Sequence, residues 1–147
     1  MTLRLVGGVL LATMLSLATA TTSVAQGSTT LEMTEPLASQ PGDPSRGRVI
    51  VLSRQSGLCI LCHSGPFPEE RFQGNMAPDL GMSAQRLTAS QLRARIVDAS
   101  LFNPETIMPT YYSHAGLNRV ASGYAGKTIL TGQEIEDVVA FLVSLKP

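Results

Sequence analysis

Cys59-Ile60-Leu61-Cys62-His63 is a C-x-x-C-H segment, and it takes up both cysteines and one of the two histidines in a chain of 147 residues. That spacing is the covalent attachment signature of haem c. Two cysteines three apart on a helical turn can both reach the vinyl groups on one edge of the macrocycle. The adjacent His63 then lies under the ring, where its imidazole can bind iron. Three other readings compete. A thioredoxin-like redox pair needs a βαβ pattern around it, which the sequence lacks. A structural zinc site needs four ligands, and only Cys59, Cys62, His63 and the distant His114 are on offer. A plain disulfide gives no reason for His63 to stand where it does. One haem c per chain uses all three residues.

An electron-transfer haem takes a second axial ligand, commonly Met, whose thioether favours ferrous iron. Beyond the first 25 residues the chain offers Met33, Met76, Met82 and Met108, together with His114. Met33 falls in a leader segment and is set aside. Met76 and Met82 flank Ala77-Pro78-Asp79-Leu80. Met108 sits in Asn103-Pro104-Glu105-Thr106-Ile107-Met108-Pro109, where two prolines stiffen the backbone around its sulfur. It is the preferred ligand; Met82, His114 and an open site stay as alternatives, and gap filling in the core is the plain role for such a residue. The second ring nitrogen of His63 needs an acceptor, and a backbone carbonyl near Gly65-Pro66 is expected to provide it. Arg93, Arg95 and Arg119 are candidates to pair with haem propionates, with a solvated helix face as the alternative for the first two. Tyr111-Tyr112 either pack on the haem edge or mark a docking surface.

These residues need elements to hold them. Asp43-Pro44 pairs an N-cap with a proline at the first helical position, and predicts a helix through Val49, Ile50, Val51 and Leu52 that stops near Gly57, although periodicity alone leaves a buried strand as the alternative for this β-branched run. Three prolines and three glycines between Gly65 and Gly81 predict a long loop. Thr88-Ala89-Ser90-Gln91 has the capping-box form, opening a helix with Leu92, Ile96 and Val97 that ends at Asn103-Pro104. Residues 103–126 read as a second loop. Thr131-Gly132-Gln133-Glu134 opens a terminal helix with Ile135, Val138, Val139, Leu142 and Leu145 on one face. The expected fold class is all-α, a small helical domain over 43–147 wrapped around the cofactor.

Lys plus Arg and Asp plus Glu are both 11, so the formal net charge is zero, which gives no electrostatic hold on nucleic acid. With no Trp and 5% aromatic residues, the core is short of large side chains, and a bound macrocycle would help to fill it. An uncharged run from Leu5 to Ala18, too short to span a bilayer, precedes the small-x-small patterns Ala18-Thr19-Ala20 and Ser23-Val24-Ala25. Residues 1–25 therefore read as a cleaved signal peptide with no membrane anchor left behind, and 26–42 as a flexible leader.

The order of leading helix, C-x-x-C-H, Pro-Asp-Leu loop, Met-Pro segment and closing helix resembles class I cytochromes c. More narrowly, the chain resembles SoxX-type monohaem subunits of the SoxAX complexes of bacterial thiosulfate oxidation. The matching segments are 57–63, Ala77-Pro78-Asp79-Leu80-Gly81, 92–98, the Asn103 to Tyr112 block and Glu136-Asp137-Val138-Val139-Ala140-Phe141-Leu142. The resemblance implies a periplasmic heterodimer with a SoxA-type subunit, His63 and Met108 as the axial pair, and no catalytic residue on this chain. It implies that the complex conjugates thiosulfate oxidatively to a cysteine of a SoxYZ-type carrier, acting as an L-cysteine S-thiosulfotransferase. Electrons would pass through this subunit to a downstream acceptor cytochrome. A free-standing electron carrier serving an oxidase or reductase is the competing reading. A ring of exposed lysines would favour it, and the chain has only Lys127 and Lys146.

Overall fold

A computed structural model describes residues 31–115 and 118–147. The signal peptide expected over 1–25 and the first part of the expected leader lie outside the described residues. Among the described residues four α-helices make the frame: α1 (Pro44–Leu52), α2 (Leu80–Arg86), α3 (Ala89–Val97) and α4 (Gly132–Ser144). Short 3-10 helices at Cys59–Leu61, Ala99–Leu101 and Ser122–Tyr124 join them. There is no strand among the described residues, and the fold is all-α as the sequence predicts.

Helix α1 begins as its sequence demands. The Asp43 carboxylate accepts from the Ser45 and Arg46 N–H groups at 2.7 and 3.0 Å, and Pro44 needs no partner at the first position. It ends at Leu52, earlier than expected. The Ser53 hydroxyl accepts from the Gln55 and Ser56 N–H groups, drawing the backbone into a turn instead of another helical turn. Helix α1 packs along α4 at close range because Gly47 lies on the Asp137 carbonyl. A Cβ at Gly47 would stand 2.8 Å from the Phe141 Cβ and closer still to that oxygen.

Both predicted capping boxes form, at Thr88–Gln91 for α3 and Thr131–Glu134 for α4. Helix α3 stops at Val97 rather than running to Asn103, since Asp98 takes an extended conformation and caps the next 3-10 helix through the Ser100 N–H. Helix α2 is new. It grows out of the proline- and glycine-rich segment, capped by the Asp79 carboxylate on the Met82 N–H.

Helix α4 buries Ile135, Val138, Val139 and Leu142 as its periodicity predicts, and Phe141 with them, while Leu145, expected on the same face, is half-buried just past the helix end. Glu136 and Asp137 are buried beside them. Arg93 holds Glu136 through two bonds of 2.7 and 2.8 Å, and Arg46 holds Asp137 through two of the same lengths. Burial works to raise the Glu136 carboxyl, but Arg93 and the Leu37 N–H outweigh it and hold it below the usual carboxylate range. The Arg46 guanidinium holds Asp137 at about 2.

Residues 31–42, the second part of the expected flexible leader, carry no regular element but are tied down. Arg93 Nη1 donates to the Met33 carbonyl at 2.6 Å, the Met33 N–H to Ser90 O at 3.0 Å, and the Leu37 N–H to Glu136 Oε1 at 2.9 Å. The segment is a strap across α3 and α4. Among the described residues no helix is long and apolar enough to cross a membrane.

Candidate functional site

The helices enclose a cavity of about 860 Å³. Val51 of α1, Leu80 of α2, Leu92 and Ile96 of α3, and Val138 and Leu142 of α4 supply apolar wall. Its volume falls in the range of about 300–1,000 Å³ usual for cofactor pockets. Cys59, Cys62, His63 and Met108 all line it.

The attachment segment is aimed by an unusual turn. Gly57 presses on the Ile50 carbonyl so closely that a Cβ there cannot be accommodated. Leu58 then takes left-handed backbone, φ 61°, a strained conformation for a side chain of its kind. Its N–H bonds the Ser53 carbonyl at 2.9 Å, and the 3-10 helix Cys59–Leu61 follows directly. The His63 N–H closes the turn on the Cys59 carbonyl at 2.9 Å, setting both thiols and the imidazole on one stretch of wall. Cys59 and Cys62 are not joined to each other as a disulfide. Burial pushes the Cys59 thiol up to about 11. Among the described residues, no cluster of three or more His, Cys, Asp or Glu side chains is placed to hold a metal ion by itself.

His63 Nδ1 lies 2.6 Å from the carbonyl oxygen of Pro78. With the proton on Nδ1 donated there, Nε2 keeps its lone pair free for iron. The acceptor is therefore Pro78 and not the expected carbonyl near Gly65-Pro66. Gly65 is engaged within its own turn, its N–H on Gln73 Oε1 at 2.7 Å and its carbonyl on the Phe67 N–H at 2.8 Å. Further along, the chain doubles back onto the motif. The Ala77 N–H bonds Cys62 O at 3.0 Å, and the Leu80 N–H bonds Ser64 O at 2.8 Å, which brings Pro78 to the ring.

Of the sulfur candidates, Met108 is half-buried against the core and lines the cavity. Met76 also reaches the cavity but is 66% exposed, and Met82 is 52% exposed. His114 is exposed and not part of the wall. Arg93 serves neither a propionate nor a solvated face; it is buried on Glu136. Arg95 does reach the cavity, its guanidinium 4.1 Å from the centroid of Phe102, whereas Arg119 stands on an exposed loop. Arg86, on the last turn of α2, lines the cavity too, and sequence reasoning missed it because α2 was unrecognised. Tyr111 is buried in the wall and Tyr112 is at the surface.

The donors fit haem c. Two thiols and an imidazole share one wall of an apolar cavity of suitable size, and two guanidiniums line the same cavity, where they could meet propionates. Fold and site together define a small all-α c-type cytochrome. Among solved structures, one described as the crystal structure of SoxXA from P. pantotrophus matches at 36% sequence identity, with a TM-score of 0.72. The match covers 79% of this chain and 90% of that chain. The chain belongs to the SoxX family of monohaem cytochrome subunits. No protein-family profile and no curated protein matches it.

Proposed function

We propose that this chain is the electron-accepting subunit of a SoxXA-type complex that oxidatively joins thiosulfate to a cysteine of a carrier protein. The observation that carries the reading is the gathering of Cys59, Cys62, His63 and Met108 on one cavity, in a chain 36% identical to a SoxXA structure. Cys59 and Cys62 hold haem c as thioethers, and the cofactor supplies one-electron chemistry at its iron when bound. His63 would bind the iron through Nε2, its Nδ1 being held on the Pro78 carbonyl. Met108, half-buried on the same cavity, would supply the second ligand to the iron. Arg86 and Arg95, which line the same cavity, would neutralise the propionates. Residues 1–25 direct export to the periplasm and are removed, and 43–147 is the cytochrome domain.

The division of labour follows from counting sulfur and electrons. Both cysteines of the chain are consumed in attachment, so no thiol remains to handle sulfur. Joining thiosulfate to a thiol forms an S–S bond, releases one proton and removes two electrons, while one haem iron takes one. The sulfur-handling group and a second redox centre, or a second turnover, come from a SoxA-type partner. The test is to incubate thiosulfate, a carrier protein and an electron acceptor with the haem-loaded chain, alone and with its partner subunit. Conjugate should form only with both subunits present. Conjugate formed by this chain alone would refute the assignment.

A further inference from the structure

Tyr111 is the buried group for which the proposed function has no use. It is 4% exposed and lines the cavity. Its backbone is fixed on both sides: the N–H bonds Ile96 O at 3.3 Å, and the carbonyl accepts from the Ile129 and Leu130 N–H groups at 3.0 and 3.1 Å. From that anchored position the hydroxyl donates to the Gly57 carbonyl at 2.6 Å. Gly57 stands two residues before Cys59, and Met108 stands three residues before Tyr111. One side chain therefore ties the segment that carries the thioethers and His63 to the segment that carries the distal sulfur.

The chemistry of attachment makes that tie more important. In the structure the Gly57 carbonyl has two donors, the Tyr111 hydroxyl and, at 3.3 Å, the Cys59 thiol. When the thiol adds across a vinyl group, sulfur bonds one carbon and the hydrogen goes to the other, with no net oxidation. The S–H donor is consumed. Of the two donors, Tyr111 is the one left on a buried carbonyl, in a turn already strained at Leu58.

We infer that Tyr111 is a positioning residue for the distal ligand: its hydroxyl braces the attachment turn against the Met108 segment and keeps the sulfur within bonding distance of the iron. This rests on the reading of His63 and Met108 as the axial pair. An aromatic ring that merely filled the wall would do its work equally well without the hydroxyl, which is what separates the two roles.

The test uses haem-loaded protein and four forms: unmodified, Tyr111→Phe, Tyr112→Phe and Met108→Ala. Three properties are read: the ferric sulfur-to-iron charge-transfer absorption, the rate of carbon monoxide binding to the ferrous form, and the reduction potential. Tyr111→Phe should weaken the absorption, lower the potential and speed carbon monoxide binding about tenfold, the effect of one ordinary hydrogen bond on an open–closed ratio. Tyr112→Phe should match the unmodified protein, since that ring is at the surface. If Tyr111→Phe yields too little holoprotein, a ring-fluorinated tyrosine at position 111 keeps the shape and strengthens the donor; all three properties should then move the opposite way. Unchanged properties in Tyr111→Phe, or in the fluorinated form, overturn the brace. A Met108→Ala protein indistinguishable from the unmodified one removes the axial assignment itself, and the brace with it.

Discussion

Replacing Arg93 with Leu should be among the most damaging single changes outside the cavity. The Arg93 and Glu136 side chains are 8% and 7% exposed, and two parallel bonds of 2.7 and 2.8 Å join them. Removing the guanidinium leaves a buried carboxylate with the Leu37 N–H as its one remaining hydrogen-bond donor among the described residues. Breaking a buried pair in this way costs about 3–5 kcal/mol. Arg93 also holds the Met33 carbonyl, but that residue is half-buried and water can replace the lost donor there. For a domain of this size, 3–5 kcal/mol lowers the melting temperature by about 10–25 °C.

The same structure predicts how the deficit responds. Arg93→Leu combined with Glu136→Leu removes both charges and should recover most of the loss, leaving the Leu37 N–H without its acceptor at about 1–3 kcal/mol. The pH dependence has a definite sign. Paired with Arg93, Glu136 has a folded pKa below its unfolded value, so its stabilisation is present above about pH 4.3 and fades as pH falls through the folded pKa. Unpaired in Arg93→Leu, burial raises the carboxyl instead, and the variant gains stability as it protonates. The gap between the two proteins should therefore be widest near neutrality and close in acid. Urea unfolding of the holoprotein followed by circular dichroism, at pH 7 and pH 4.5, measures it. A cost below about 1 kcal/mol at pH 7, or a double variant less stable than the single, would show that the pair is not the keystone described.

Met108→Ala should lower the reduction potential and let ferrous protein bind carbon monoxide, read by absorption spectroscopy and redox titration. Cys59→Ala with Cys62→Ala should give a chain that is largely unfolded or degraded, because the aromatic-poor core loses the macrocycle it encloses; a cooperative thermal melt with full helical circular dichroism would contradict this. Gly47→Ala should destabilise by about 1–3 kcal/mol in urea unfolding, since its Cβ meets the backbone of α4 and not a yielding side chain, and α1 must move off α4 to admit it.

What the sequence announced was local. Asp43-Pro44, the two capping boxes and the apolar face of α4 are signals written within a few residues, and each appears in the structure. The C-x-x-C-H spacing is equally local, and it located the cavity wall without any knowledge of the fold. Helix α2 escaped because seven residues are too few to display a period, and its cap, Asp79, lies in a stretch dominated by proline and glycine. With α2 hidden, Arg86 could not be placed on the cavity. The other surprises concern partners that are far apart in sequence. Glu136 and Asp137 look like solvated residues by type, and it is chiefly Arg93 and Arg46, on two other helices, with backbone donors from Leu37 and Asp43, that make their burial tolerable. The acceptor for His63 is a backbone carbonyl, a group every residue has, so nothing in the sequence could single out Pro78 over Gly65. A periodic pattern reports which face of an element turns inward; which distant residue meets that face is decided by how the elements pack. In this chain that packing brings the Tyr111 hydroxyl, three residues after Met108, to the turn that leads into the haem cysteines.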